Sequence, residues 1–415
     1  MDSKQRVDAA LRHRQGRIPL DIGGTGVSGV HVSIVEKLRE YYGLEKRPVK
    51  LWRDMMMLGE IEDDLRGAMK IDTKPFPTLN TSFGCKYEDF KEWRAPWGQL
   101  LLVPGRFNPT EDDRYVYMYP QGDACCAPSA KMPKSGFFFD PVNRQGELDE
   151  DELRVEDNLA EYGETGDGAL AFYRQGAGFA RQGEHAVIGA FGGTGLGDVG
   201  AINGIALKEP KGVRDVEEWY VTVASRQGFV KELFERQTDI ALGNLKKIWE
   251  AVGDSIPFIL SCGTDFGMQS GLLCSKSAFS ELYLPYYKKV NHWIHQNTSW
   301  KIAKHSCGSI AAIIPLLIEA EFDILNPVQW TAKGMDMRML KREFGRDLVF
   351  WGGGADTQHT LPYGKPEEVR EQVLKTCEVF GEGGGFIFNA VHNIQALTPV
   401  ENIVAMVDAL HEFNA

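Results

Sequence analysis

The sequence predicts an α/β protein built as a (β/α)8 TIM barrel that carries an aromatic-rich β-hairpin insertion. Three observations point there. From about residue 166 to the end, strand-like and helix-like runs alternate steadily, a pattern that implies right-handed crossovers and a parallel sheet. Adding strand-like runs at Leu20 and Ile71 brings the strand count to eight, the number that closes a barrel. Polar residues and glycines also collect just after these runs, where a barrel keeps its active site. An open, doubly wound parallel sheet is the alternative arrangement.

The elements follow in chain order. Residues 3–15 read as a short amphipathic helix with Val7 and Leu11 on one face, and Arg17 to Gly24 as a strand that runs into a glycine turn. Residues 31–42 and 50–69 have helical spacing. From about 83 to 165 the pattern changes to short alternating runs rich in Trp and Tyr, with turn residues between them and an acidic run from Glu147 to Asp157. The expectation is one barrel domain over residues 1–415 with a β-rich subdomain inserted at 83–165. That insertion would serve as a lid, a substrate wall or the contact of a homodimer. The later strands are expected at Ala186–Phe191, Pro257–Ser261, Lys301–His305, Phe322–Asn326, Leu348–Gly352 and Gly385–Asn389. Amphipathic helical runs lie between them at 213–252, 277–297, 310–320, 335–344 and 366–380.

Composition narrows the function. The chain has 415 residues, 43% hydrophobic and 25% charged, as ordinary soluble enzymes do. Its formal net charge of −12 argues against nucleic acid and against an anionic membrane surface as partners. The beginning of the sequence has no apolar signal region, and the apolar stretch Ile310–Ile318 is broken by Pro315 and too short to span a bilayer. Seven cysteines, an odd number, read as reduced thiols of a cytoplasmic protein, with Cys125 and Cys126 as ordinary thiols. Gly195–Gly200 matches G-x-G-x-x-G, but no acidic residue closes a following strand, so a glycine loop at the barrel mouth is the better reading than a dinucleotide site.

The strand-end residues carry the chemistry. His305 and Cys307 stand two apart on an extended segment, so both side chains point the same way, just before Gly308. An imidazole and a thiolate so placed make half of a zinc site. The third ligand should come from another strand end. His392 is the first choice, with Cys262 and Cys377 as rivals; without metal, His392 reads as an acid/base or substrate-binding histidine. Asp265 would act as a catalytic base, bind the substrate or support a metal ligand from behind, with capping of its own loop as the plain alternative, and Asp21, Asn326, Gln329 and Gln395 would line the substrate site. The structural alternative for His305 and Cys307 is plain burial near a strand end.

Several stretches together resemble the uroporphyrinogen decarboxylase superfamily. They are Asp265-Phe-Gly-Met-Gln-Ser-Gly, Tyr283-Leu-Pro-Tyr-Tyr-Lys, His305-Ser-Cys-Gly-Ser-Ile, Asn326-Pro-Val-Gln, Phe350-Trp-Gly-Gly-Gly and Gly384-Gly-Phe-Ile-Phe-Asn with His392-Asn-Ile-Gln. The resemblance covers about 180–415 well and the first third loosely, and it implies a (β/α)8 barrel. Its true decarboxylase branch uses no metal and binds a tetrapyrrole through an R-Q-A-G-R segment. Arg14-Gln-Gly-Arg17 departs from that segment, and no basic cluster surrounds Asp21. The other branch holds zinc-dependent methyltransferases that work with corrinoid proteins and carry H-x-C followed much later by Cys. His305 and Cys307 match the first two ligands, while His392 stands where the third falls. The resemblance thus implies Zn2+ on His305, Cys307 and His392, a small methyl donor such as a methoxylated aromatic, and O-demethylation. It implies cobalamin brought by a separate corrinoid-binding protein, because D-x-H-x-x-G is missing here. A metal-free decarboxylase with His392 and Asp265 handling protons, and a non-catalytic ligand-binding barrel, are the rival readings.

Overall fold

The fold rests on a computed structural model that describes every residue except Gly192. Eight parallel segments close into a ring. We number them β1 (the extended segment through Leu20), β2 (Thr73–Pro75), β3 (Ala186–Ile188), β4 (Phe258–Cys262), β5 (Lys301–His305), β6 (Ile324–Asn326), β7 (Val349–Trp351) and β8 (Phe386–Ile387). β2 pairs with β3, and β4 through β8 pair in order. Gly189 bridges to Ile259 and joins β3 to β4. The ring shuts at β1. Leu20 bridges to Phe388 beyond β8, and the Asp72 N–H before β2 donates to Leu20 O at 2.8 Å. The barrel expected from the strand count is therefore present, and the open sheet is not.

Alternation along each strand decides what fills the barrel. Ala186, Ile188, Phe258, Ala303, Ile324, Val349, Trp351 and Ile387 form one interior cluster. Val7, Ala10 and Leu11 of helix Ser3–Leu11 join it and plug the end where the strands begin. That helix stops earlier than residues 3–15 suggest, with His13 in the left-handed region at φ 52°. The second, larger core lies between the strands and the surrounding helices, which include Gln227–Val252, Leu284–Asn297, Pro366–Gly381 and Val400–Phe413.

One helical expectation fails. Residues 50–69 contain the strand Val49–Arg53, the short strand Leu58–Gly59 and only then the helix Asp63–Met69. Val49 and Lys50 pair in parallel with Leu101 and Leu102, and Leu51 pairs with Gly59. Distant backbone partners override a local spacing that fits a helix equally well. The sheet is completed by Val30–His31 and Lys91–Arg94, so the aromatic stretch shares its strands with residues 30–59. A four-stranded antiparallel sheet follows, ordered Asp140–Pro141, Ala130–Pro133, Tyr115–Met118, Thr110–Glu111.

The first of these sheets reaches the barrel mouth through Val30–His31. Ile394, in the segment after β8, accepts from the His31 N–H and donates to Gly29 O, both at 2.9 Å. His392 is thereby held from two sides, by β8 and by the added sheet. The Gly195–Gly200 loop leads only into the four-residue helix Val199–Ile202, capped by the Asp198 carboxylate on the Gly200 N–H. A carboxylate in that place repels a phosphate. Among the described residues, no helix is long and apolar enough to cross a membrane.

Candidate metal centre

Strand register builds the site. Ala303 faces the barrel interior, so His305 two residues later faces it too, at the mouth end of β5. Cys307 follows on the same side, and the chain then turns at Gly308 with φ 84°. His392 arrives from the segment after β8. The donor atoms of His305, Cys307 and His392 all lie within 4.8 Å of one another, and among the described residues they are the one such group. His305 Nε2 stands 3.5 Å from Cys307 Sγ. Zinc bonds of about 2.0 Å to nitrogen and about 2.3 Å to sulfur give a tetrahedral edge of roughly 3.5 Å, so this pair is spaced for one ion. The two imidazoles sit with centroids 5.6 Å apart and planes at 63°.

The donor chemistry also fits. His305 is buried, and burial holds its pKa down to about 4, with Asp265 opposing and His392 reinforcing the shift. It is therefore neutral at ordinary pH, the form that ligates metal. Its Nδ1 lies 2.6 Å from Asn326 Oδ1, and Asn326 Nδ2 donates to Trp351 O at 2.9 Å. The amide is thus oriented with oxygen toward the ring, so Nδ1 carries the proton and Nε2 keeps its lone pair. Burial pushes the Cys307 thiol well above its usual range, and the nearby Asp265 charge adds to this. A thiol so placed gives up its proton when a cation supplies the missing positive charge.

The other expected residues fall into two groups. Asp265 Oδ1 accepts the Cys307 N–H at 2.6 Å and lies 3.9 Å from His305 Nε2, so it anchors the ligand loop. Gln329 Oε1 accepts the Gly308 N–H at 2.7 Å, and Gln329 also lines a cavity of about 380 Å3 together with Cys307, His392 and Gln395. Asn326 and Asp21, expected against the substrate, lie elsewhere. Both polar atoms of Asn326 are spent on His305 and Trp351. Asp21 is fully buried, its carboxylate bonded to Thr73 Oγ1, the Gly24 N–H and Trp351 Nε1, and burial raises its pKa. The rival ligands are not in reach either. The Cys262 thiol donates to Tyr287 OH at 3.1 Å, and Cys377 is buried in helix Pro366–Gly381.

Sequence reasoning missed two features. Lys304 is buried with its ammonium on Thr264 O and His305 O and 4.9 Å from the Phe266 ring, which ties the loops after β4 and β5 together. Strand alternation signals that it faces away from His305, though not what it meets. Gln269 and Gln358 line the cavity and bond to each other at 2.8 Å. Gln269 stands inside the Asp265-Phe-Gly-Met-Gln run, which the strand-end rule covers.

The Uroporphyrinogen decarboxylase (URO-D) family profile matches residues 205–413, half of the chain, and includes His305, Cys307 and His392. The chain belongs to the URO-D family. Among its relatives is the uroporphyrinogen decarboxylase of Mannheimia succiniciproducens, 24% identical over 41% of this chain and 49% of that protein. The Pseudoalteromonas atlantica uroporphyrinogen decarboxylase is 26% identical over 48% of this chain and 57% of its own length. The chain thus spans about half the length of the curated relatives it matches. A solved methyltransferase from Methanosarcina mazei shares the fold with a TM-score of 0.54 and 14% identity, over 100% of both chains. This agrees with the URO-D barrel drawn from the strands.

Proposed function

We propose that this URO-D family member is a zinc-dependent methyltransferase that moves a methyl group between a small methylated substrate and cobalamin held by a separate corrinoid-binding protein. The observation that carries the reading is the convergence of His305, Cys307 and His392 beside an open cavity. These three residues would hold Zn2+, which supplies Lewis acidity toward the heteroatom that bears or accepts the methyl group. His305 offers Nε2 because Asn326 occupies Nδ1. Cys307 offers its sulfur because Asp265 fixes the backbone on which it sits. Gln329 and Gln395 orient the substrate in the cavity. The likeness in fold to a methyltransferase supports the same reading.

The metal-free decarboxylase is the second reading, since the named relatives are decarboxylases. Two observations weigh against it. Arg14 packs its carbonyl against Gly384, before β8, so the Arg14–Arg17 segment lies at the opposite end of the barrel from the cavity. Among the described residues, the cavity lining contains no Lys or Arg to pair with substrate carboxylates. The test is metal content with methyl transfer to added cobalamin, for the wild type and Cys307→Ala. Stoichiometric zinc lost in the variant, together with the transfer, supports the proposal. A zinc-free protein, or one that decarboxylates at full rate in chelator, removes it.

A further inference from the structure

We infer that the outer face of the barrel, over β2 and β3, carries a second ligand site, which takes an organic ammonium ion with an apolar body. The site is separate from the metal centre and does not depend on how that centre is read. In a barrel the outer faces of the strands are covered by helices. Here two of those helices are separated by a cavity of about 940 Å3, against about 380 Å3 at the metal centre. Helix Asp63–Met69 is pinned to β2 by Arg66, whose buried guanidinium donates to Thr73 O and, at 2.7 Å, to Ile61 O. Helix Asp167–Gln182 is seated on Phe76, the residue after β2, through Gly176, where a Cβ would lie 2.5 Å from the ring. The cavity runs between these two supports.

Its floor is apolar. Ile61, Phe76, Ala180 and Val187 are buried there, and Pro75 and Pro77 offer no N–H. Phe179 stands at the edge with 62% of its surface exposed. The rim is charged, and all but one of its carboxylates are matched. Glu62 and Asp64 each meet Arg47 at 2.9 Å, and Asp63 meets Lys74 at 2.5 Å. Glu60, half-buried, is in no ion pair among the described residues, and its Oε2 accepts the Tyr87 hydroxyl at 3.0 Å. His185 adds no charge near neutral pH, because burial and the neighbouring Arg66 and Lys74 lower its pKa. Tyr87 and Trp52 both line the cavity, the indole held by Nε1 on Thr78 Oγ1 at 2.9 Å. Arg53 stacks on Trp52, 4.6 Å from the ring centroid, and is outside the lining. A carboxylate without a cation, set beside aromatic rings, suits an ammonium group, and the apolar floor takes the body attached to it. An anionic ligand would add a second unmatched negative charge beside Glu60, and a neutral one would leave Glu60 as it is.

The experiment is calorimetric titration of the full chain with three probes of similar size, phenethylammonium, phenethyl alcohol and phenylacetate. The ammonium probe should bind about tenfold more tightly than the alcohol, and phenylacetate more weakly than either. Glu60→Gln keeps an acceptor for Tyr87 and should erase the preference for ammonium over alcohol. Glu319→Gln, an exposed carboxylate outside the cavity, should leave that preference intact. Phe179→Ala, at an exposed position that does not endanger folding, should weaken the ammonium and the alcohol alike by about fivefold. The ranking should be the same with and without added zinc, since His305, Cys307 and His392 are outside this lining. An ammonium probe that binds no more tightly than the alcohol overturns the inference. So does a preference that survives Glu60→Gln, or binding that Phe179→Ala leaves unchanged. Zinc content and methyl transfer decide the reading of the metal centre and are untouched by either result.

Discussion

His305 and Asn326 face each other across β5 and β6 with Nδ1 and Oδ1 2.6 Å apart, and this contact determines which nitrogen of the imidazole is available to a metal. The contact is backed by Trp351, whose carbonyl takes the Asn326 amide and whose indole N–H rests on Asp21. Four strands thus fix one ring. Asn326→Leu keeps the approximate volume and removes the acceptor. The variant should bind zinc about 10- to 100-fold more weakly, measured by competition with a chromophoric chelator. Affinity unchanged from wild type would show that the ring is oriented by something else.

Zinc uptake should release a proton that belongs to Cys307. Burial keeps this thiol protonated through neutral pH in the metal-free protein, and ligation requires the thiolate. His305, with a pKa near 4, has no proton to lose on the ligating nitrogen above about pH 6. Adding zinc at pH 8 in weak buffer should therefore release about one proton per site from the wild type. Cys307→Ala should release about one fewer. Equal release from both proteins would place the proton elsewhere.

The barrel was legible because its strands are short apolar runs separated by helical ones, and seven of the eight fall on or within the runs expected, while the strand expected at Ile71 lies two residues on, at Thr73–Pro75. His305 and Cys307 could be paired from sequence because they are neighbours on one strand face, and His392 because it follows the last strand. The role of Asn326 was not legible. A polar residue at a strand end looks the same whether it faces a substrate or the back of an imidazole, and only the register of β5 on β6 separates the two. The strand Val49–Arg53 was hidden for a related reason, since its partners lie about fifty residues away. Gln269 and Gln358 acquire meaning only through each other, across the loops after β4 and β7.

Gly308 is the position where the ligand loop tolerates least. Its φ is 84°, and a Cβ there would lie 2.4 Å from the carbonyl carbon of Gly267 and 2.6 Å from its oxygen. Both obstacles are backbone, so neither can swing aside. Gly308→Ala should cost about 1–3 kcal/mol of stability and push the loops after β4 and β5 apart. Zinc affinity should fall with it, because Cys307 is the preceding residue. Urea unfolding with and without zinc checks both parts; a variant as stable as wild type would mean the loops shift without loss.

Stability should decline on acidification through a histidine remote from the cavity as well as through His305. His31 is fully buried, its Nε2–H donating to Phe137 O at 2.9 Å and its Nδ1 accepting the Ser33 N–H at 3.2 Å. Both nitrogens are satisfied in the neutral ring, whose Nδ1 also lies 2.8 Å from the Ser33 hydroxyl, and among the described residues no carboxylate contacts the ring to hold a second proton. Burial accordingly lowers its pKa from 6.5 to about 4. The unfolded chain then binds more protons than the folded one between those values, so this contribution is complete above pH 6.5 and is lost as the pH falls toward 4. A shift of that size corresponds to about 3 kcal/mol. His31→Gln should be less stable at pH 7 and show a flatter decline between pH 6.5 and 4.5, by urea unfolding in a pH series. The decline that persists should come in part from His305, whose shift has the same sign. If the variant's pH profile runs parallel to that of the wild type, His31 carries no proton linkage, and the loss of stability in acid comes from His305 and the other groups whose pKa values the fold lowers, His13, His185, Asp64 and Asp323 among them.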